Sequence, residues 1–166
     1  MTTRPYLSPA RTSVGRSTRL TAAWTRASAR RCLCCSLTAR TSSRGIGQTK
    51  EQAFEQAALA LAQVVTEVAS IVPRDVIDVE CAAPSDGLLL ADWLNRLIYE
   101  MAVRHMVFGR FAVTIEDGHL RGRAWGERVD RMRHAPAVEP KGATFTEMKV
   151  ERRADGAWIA QCIIDV

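Results

Sequence analysis

Apolar residues recur every three or four positions in two segments of the chain, which is the spacing of a helix that buries one face. The first predicted helix covers about residues 50–69, with Thr49 as its N-cap and Gln52 completing a capping box. Its apolar stripe consists of Phe54, Ala57, Ala58, Leu61, Val65 and Val68. Pro73 follows this stripe and should end the helix.

The second predicted helix follows Ser85, its N-cap, and has Asp86 in its first turn. Its apolar stripe is wider and contains Leu89, Leu90, Trp93, Leu94, Leu97, Ile98 and Met101. Because a wider stripe contacts more of the core, we expect this helix to be the more buried of the two.

Strand patterns occupy much of the remaining sequence. Between the helices, Ile77, Val79 and Cys81 alternate with Asp78 and Glu80, which predicts a half-buried strand. The apolar residues of this strand should face the core, and the acidic residues should face solvent.

Four further strands are predicted after the second helix. The first two meet at an Asp-Gly hairpin turn over residues 116–119. Residues 126–137 form a polar loop, and the last two strands are residues 138–150 and an apolar run ending at Ile164. Helix, strand, helix and four strands predict an α+β fold, with two helices packed on one antiparallel sheet in a domain of residues 45–166.

Residues 1–44 have a different composition, with nine Arg and no Lys, Asp or Glu. We expect a disordered basic leader, because such a segment buries too little apolar surface to offset the entropy of ordering. The same composition fits an organelle transit peptide. It also fits translation in the wrong reading frame.

The net charge of +5 conceals a contrast between these two regions. Subtracting the nine Arg of the leader from 23 basic residues leaves 14 against 18 acidic residues, so residues 45–166 carry about −4. The predicted domain therefore gives no charge argument for tight, direct binding of RNA or DNA. With no long apolar run and no signal-peptide core, we expect a cytoplasmic protein without a membrane segment.

The five cysteines form no evenly spaced disulfide framework. Cys81 and Cys162 lie in apolar runs and are interpreted as small buried hydrophobic residues.

The sequence closes on Asp165 and Val166, directly after an apolar run. A side-chain carboxylate next to a terminal carboxylate, both on a rigid strand, would supply hard oxygen ligands for Ca²⁺ or Mg²⁺. The simpler interpretation is a solvated strand end.

The polar loop and the strand after it hold a second group of candidates: Glu127, Asp130, His134 and Lys141. They could be an ordinary charged surface or a functional one, and Glu127, directly after Gly126, is the most site-like. Carboxylates of Glu127, Asp130 and Asp165 could support metal-dependent hydrolysis. No nucleophile motif or phosphate-binding loop accompanies them, so hydrolysis stays a minor hypothesis.

Several segments together resemble the archease family over about residues 45–166. The resemblance rests on their order and spacing, since no single segment is specific. The segments are residues 50–61, 90–99, 108–111 and 126–127, His134, and residues 141–145 and 163–166.

The resemblance implies a non-catalytic activator of the GTP-dependent RNA ligase of tRNA splicing or RNA repair. Such an activator promotes guanylylation of the ligase and its multiple turnover, and contacts RNA only through the ligase. A divalent cation, Ca²⁺ or another, would be held by Asp165 and Val166. Glu127, Asp130, His134 and Lys141 would form the functional surface.

One stretch departs from the family pattern. The family begins with a strand carrying His-x-x-Asp and apolar residues, whereas residues 37–45 read Leu-Thr-Ala-Arg-Thr-Ser-Ser-Arg-Gly. The departure implies a disrupted first strand and a missing metal ligand. We hypothesise that residues up to about 43 are translated out of frame, since Asp-Ile codons read one base later can give Thr41-Ser42. The coding DNA tests this.

Two other functions stay open. One is a general adaptor or chaperone-like module for RNA-modifying enzymes, and the other is a small metal-dependent hydrolase.

Overall fold

The computed structural model describes residues 40–166. The predictions of a disordered, transit-peptide or out-of-frame leader fall mainly on residues 1–39, which lie outside the described residues, and they stay predictions.

The described chain contains six strands, two long helices and two short helical turns. The strands are β1 (Arg40–Gly47), β2 (Asp75–Ala82), β3 (Met106–Glu116), β4 (His119–Arg128), β5 (Gly142–Arg152) and β6 (Trp158–Asp165). The helices are α1 (Lys50–Val65), α2 (Asp86–Arg104) and the four-residue α3 (Arg131–His134), and a 3₁₀ turn covers Val68–Ser70. The α+β class is confirmed.

The strands form two three-stranded antiparallel sheets instead of the one sheet predicted. The first has the order β1-β6-β5 and the second has the order β2-β4-β3. Both long helices contact strands of both sheets. A single hydrophobic cluster therefore joins the sheets through the helices, with Phe54, Leu61, Trp93, Leu94, Leu120 and Ile164 fully buried in it.

Both predicted helix starts are confirmed. The hydroxyl oxygen of Thr49 accepts from the amide of Gln52, and that of Ser85 accepts from the amide of Leu88. The side chain of Gln52 also accepts from the amide of Gln48. These contacts satisfy amides that have no partner within the first turn of a helix.

The first strand, predicted to be disrupted, is present, so this expectation is wrong. β1 pairs with β6 from Arg40–Asp165 to Gly47–Trp158. Ser43 is fully buried and its hydroxyl donates to the Ala57 carbonyl of α1 at 2.7 Å. The strand needs small residues more than apolar ones, because a Cβ on Gly45 would collide with the α1 backbone.

Several predicted boundaries differ from those in the structure. The predicted domain boundary between residues 44 and 45 falls inside β1, so residues 40–44 do not belong to a disordered leader. The first helix ends at Val65 and not at 69. The polar loop of residues 126–137 holds the end of β4 and the whole of α3, because Asp130 caps a new helical turn there. The next strand covers Gly142–Arg152.

The Asp-Gly hairpin between β3 and β4 is confirmed. Asp117 and Gly118 both have positive φ, 47° and 77°, and Glu116 pairs with His119. This is the conformation of a type I′ turn, whose twist matches that of the flanking strands. β3 and β4 therefore form a continuous hairpin that brings residues 106–108 beside 126–128.

Candidate functional site

Glu127 lies at the end of β4 and is only 4% exposed. Its Oε1 accepts from Arg133 Nη1 at 2.8 Å and from the Val72 amide at 2.6 Å, and Oε2 accepts from Arg133 Nη2 at 2.5 Å. His134 Nε2 lies 3.2 Å from Oε1, and Arg74 Nε lies 3.8 Å from Oε2. This carboxylate joins β4, α3 and the segment before β2.

The two hydrogen bonds from Arg133 and the one from the Val72 amide hold the pKa of Glu127 far below its ordinary value, at about 2. Desolvation opposes this shift but is outweighed. Glu127 is therefore a carboxylate at neutral pH. Because its oxygens are already bound by donors, it is poorly suited to act as a general base or as a free metal ligand.

His134 and Asp130 orient the other side of this cluster. Asp130 caps α3, since its Oδ1 accepts from the amides of Met132 and Arg133. The Asp130 amide donates to His134 Nδ1 at 2.8 Å, which assigns the ring hydrogen to Nε2, where it can be donated to Glu127. His134 is 3% exposed, and its carbonyl accepts from the Thr66 hydroxyl.

Lys141 and Asp165 lie apart from the Glu127 cluster. The Lys141 amide donates to the Asp165 carbonyl at 2.8 Å, at the edge where β5 begins and β6 ends, and the Lys141 residue is exposed. The predicted surface residues thus divide into the Glu127, Asp130 and His134 cluster on one side, and Lys141 beside Asp165 and Val166 on the other.

A cavity of about 480 Å³ opens between the C-terminal half of α2 and the segment after α3. Ile98, Met101 and Val107 line its apolar part, and His105 and Arg131 contribute polar groups. A second opening shares Ile98 and reaches Lys141. The apolar groove therefore runs along α2 toward the Asp165 edge.

A sequence model of the Archease protein family matches residues 35–166. The chain belongs to the archease family. It is 42% identical over 127 residues to "Protein archease" of Pyrococcus furiosus, a match that covers 74% of this chain and 89% of that protein. It is 36% identical over 127 residues to "Protein archease" of Thermococcus gammatolerans, with the same coverages.

Solved structures agree with the archease fold. The solution structure of Methanobacterium thermoautotrophicum protein 1598 has a TM-score of 0.68 at 30% identity, covering 80% of this chain and 96% of that one. The crystal structure of an archease, described as a possible chaperone, from Thermotoga maritima has a TM-score of 0.58 at 16% identity. It covers 82% of this chain and 98% of that one, and at this identity it supports the fold alone.

The divalent cation predicted at Asp165 and Val166 would meet a competing positive charge in the structure. Asp165 Oδ1 is buried and makes no hydrogen bond, as a vacant ligand atom would. However, the guanidinium of Arg40 lies 3.3 Å from it, and this positive charge would oppose binding of a cation there. Within residues 40–166, no three His, Cys, Asp or Glu side chains lie together as candidate metal ligands. The ligand roles of Asp165 and Val166 stay predictions.

Arg133 and Arg74 contact Glu127 but were not among the site residues predicted from the sequence. A signal for Arg133 existed: Asp130 caps a turn that aims the following residues back toward the end of β4. Arg74 extends the β2–β4 register, in which Asp75 pairs with Gly126, so it faces Glu127 across the strands.

Two further expectations can be compared with the structure. Cys81 and Cys162 are buried and free, as predicted, and burial raises the pKa of Cys81 to about 12. In the part of the chain that the structure describes, the helices are too short or too polar to span a bilayer.

Proposed function

We propose that this archease is a non-catalytic protein activator of a GTP-dependent RNA ligase that acts in tRNA splicing or RNA repair. In this role it promotes guanylylation of the ligase and restores the ligase after each round of joining. The observation that carries the proposal is the family match over residues 35–166, together with 42% identity to an archease across 89% of that protein's length.

The chemistry of the Glu127 cluster supports a binding role over a catalytic one. Its most acidic group has a pKa of about 2 and is held by Arg133, the Val72 amide and His134. A general base must be able to take up a proton near neutral pH. Glu127 instead fixes α3 against β4, which gives the surface around it a defined shape.

The proposal is tested with the full chain and the GTP-dependent RNA ligase of the same source. The ligase is incubated with GTP and an excess of RNA ends, so that it is substoichiometric to them. Guanylylated ligase and joined RNA are both measured with and without the archease. We expect guanylylation to accelerate and each ligase molecule to join many RNA ends. Unchanged guanylylation and turnover over a wide range of archease concentration would overturn the proposal.

Lys141 gives a sharper version of the same test. It is exposed beside Asp165, so Lys141→Ala should leave folding intact and raise the archease concentration needed for half-maximal activation several-fold. Lys149→Ala is the matched control, because Lys149 is also an exposed lysine of the β5 region but pairs with Glu151 at 2.6 Å. Equal effects of the two changes on activation would show that Lys141 does not contact the ligase.

The same experiment separates the other functions. A general adaptor for RNA-modifying enzymes would bind such an enzyme without stimulating the ligase. A metal-dependent hydrolase would turn over phosphoesters in the absence of ligase. The cation at Asp165 and Val166 and the cytoplasmic location remain predictions.

A further inference from the structure

The outer face of the β2-β4-β3 sheet carries an arginine–tryptophan surface, which consists of Arg110, Arg123 and Trp125. Arg110 on β3 pairs directly with Trp125 on β4, and Arg123 lies two residues before Trp125 on the same face of β4. Both arginines are exposed and Trp125 is half-buried. The opposite face of the sheet packs on the helices, and no helix or strand within residues 40–166 covers this face.

The two guanidinium groups are held against one indole ring. Arg110 Cζ lies 5.0 Å from the Trp125 ring centroid, and Arg123 Cζ lies 5.4 Å from it. A cation–π contact uses the face of a guanidinium and leaves its in-plane N–H donors available. The cation–π contact also restricts the arginine side chain before a ligand binds, so less conformational entropy is lost on binding.

Neither of these two cations forms an ion pair with a carboxylate, although Asp78 is the strand partner of Arg123. Within residues 40–166, no carboxylate oxygen lies within 4.0 Å of Arg110 or Arg123, and residues 1–39 contain no Asp or Glu. Arg121, on the same face of β4, differs, because its Nε lies 3.6 Å from Glu80. The arginines without an ion pair therefore lie at the Trp125 end of the sheet, and the paired one lies toward the hairpin end.

Arg74 extends the positive end. It lies across the strands from Glu127, and its side chain is 70% exposed, with Nε 3.8 Å from a carboxylate that Arg133 already holds in a bidentate pair. Val76, 50% exposed, is the strand partner of Trp125 and lies two residues after Arg74. Oriented guanidinium donors around an aromatic and an aliphatic side chain match a phosphate flanked by a base.

We propose that the arginine–tryptophan surface binds the phosphodiester backbone of single-stranded RNA, so that this archease contacts the RNA ends directly. The identity of the strand as RNA rests on the proposed ligase function. The overall charge of about −4 for residues 45–166 argues against a long electrostatic track, but it does not oppose a local contact. The expected footprint is about two phosphates, one for each free guanidinium.

The acidic residues beside the arginine–tryptophan surface favour a flexible strand of RNA as its ligand over the acidic face of a protein. Asp78 pairs in register with Arg123, and Glu80 with Arg121, so acids occupy the next strand. A broad anionic protein surface would meet these carboxylates at close range and be repelled. A single strand of RNA can lie across the Trp125 end alone.

The test measures binding of a fluorescent single-stranded RNA of 12 nucleotides to the full chain without ligase, by anisotropy at several salt concentrations. Arg110→Gln and Arg123→Gln should each weaken binding several-fold. Each should also lower the slope of log affinity against log salt by about 0.7, the value expected for one phosphate contact on a single strand.

Arg121→Gln is the matched control, because it removes the same charge from the same face of β4 but from an arginine already paired with Glu80. It should change affinity less than twofold. Basic residues elsewhere in the chain, including the nine Arg of residues 1–44, contribute equally to all three variants. Equal affinities for the three variants, or no loss relative to the unchanged protein, would overturn the proposal.

Ultraviolet crosslinking locates the contact independently of affinity. Crosslinked peptides containing Trp125 or Arg110 are expected, and crosslinks confined to other segments would contradict the proposal. If Arg110→Gln and Arg123→Gln weaken capture by the purified ligase while RNA affinity stays unchanged, the surface binds protein and the RNA proposal is wrong. Failure of RNA binding together with intact ligase activation would leave the activator function standing.

Discussion

Arg133 and Glu127 form a bidentate ion pair, with Nη1 2.8 Å from Oε1 and Nη2 2.5 Å from Oε2. The pair connects α3, a helix of only four residues, to the end of β4. A helix this short cannot hold itself together through its own hydrogen bonds. Its position therefore depends on this pair, on the cap from Asp130 and on His134.

Glu127→Gln should destabilise the protein and lower its melting temperature by several degrees. The amide would lose the charge-assisted bonds to Arg133 and would leave that guanidinium with an uncharged partner. Thermal unfolding followed by circular dichroism measures the effect. Glu116→Gln is the control, since Glu116 is exposed at the hairpin end of β3 and should change the melting temperature very little. Equal melting temperatures for the two variants would contradict the importance of the ion pair.

The same residue predicts how stability depends on pH. The folded pKa of Glu127 is about 2 and its ordinary value is 4.5, so the folded state binds fewer protons than the unfolded state between these values. This contribution to stability is fully present above about pH 4.5 and is lost as the pH falls toward 2. The cations Arg133 and Arg74 and the ring of His134 face Glu127, and all donate to or attract its carboxylate.

Urea unfolding of the unchanged protein and of Glu127→Gln checks this dependence. The difference in free energy of unfolding between the two should be constant from pH 7 to 5.5, and it should narrow as the pH falls below about 4.5. A difference that stays constant down to pH 3 would show that Glu127 keeps its ordinary pKa.

The helices and the β3–β4 hairpin could be predicted from the sequence because their signals are local. An apolar stripe, a Ser or Thr cap and an Asp-Gly turn act within a few residues. β1 could not be predicted, because Ser43 and Gly45 fit only against the backbone of α1, a partner that the residues around them do not reveal. The division into two sheets likewise depends on pairings such as Arg40–Asp165 that join distant parts of the chain.

The candidate site could be predicted only in part for the same reason. Glu127, Asp130 and His134 are close in sequence and meet in the fold. Lys141 is also close in sequence, but the chain between α3 and β5 carries it to the Asp165 edge. Arg110 and Trp125 come from two strands, and their contact follows from the register of the hairpin and a bulge near Gly109.

Gly122→Ala should destabilise the protein by about 1–3 kcal/mol, the range for overpacking a core. A Cβ at this position would collide with the ring of Trp93, which is fully buried and packs edge-on against Phe111. The ring cannot move without disturbing the core between helix and sheet. Gly142→Ala is the control, because its Cβ would meet only Asn95 Oδ1 at an ordinary 3.5 Å. Chemical denaturation of both variants measures the difference, and similar losses would contradict the packing argument.

Arg40→Asp should strengthen the cation binding predicted at Asp165. Arg40 is the register partner of Asp165, and its guanidinium lies 3.3 Å from Oδ1, which accepts no hydrogen bond. Replacing it with a carboxylate removes a competing positive charge and adds a hard oxygen ligand facing Asp165. Isothermal titration with Ca²⁺ should show weak binding to the unchanged protein and at least tenfold tighter binding to the variant.

Arg44→Asp makes the same charge change on the same strand and serves as the control. Arg44 pairs with Gln161 and donates to its side chain, so a carboxylate there lies away from Asp165 and should gain little Ca²⁺ affinity. Because Ca²⁺ bound only to the folded state raises its stability, Ca²⁺ should also raise the melting temperature of Arg40→Asp and not that of Arg44→Asp. Tight Ca²⁺ binding by the unchanged protein would mean that Arg40 moves aside for the ion, and the interpretation of Arg40 as a barrier to it would be wrong.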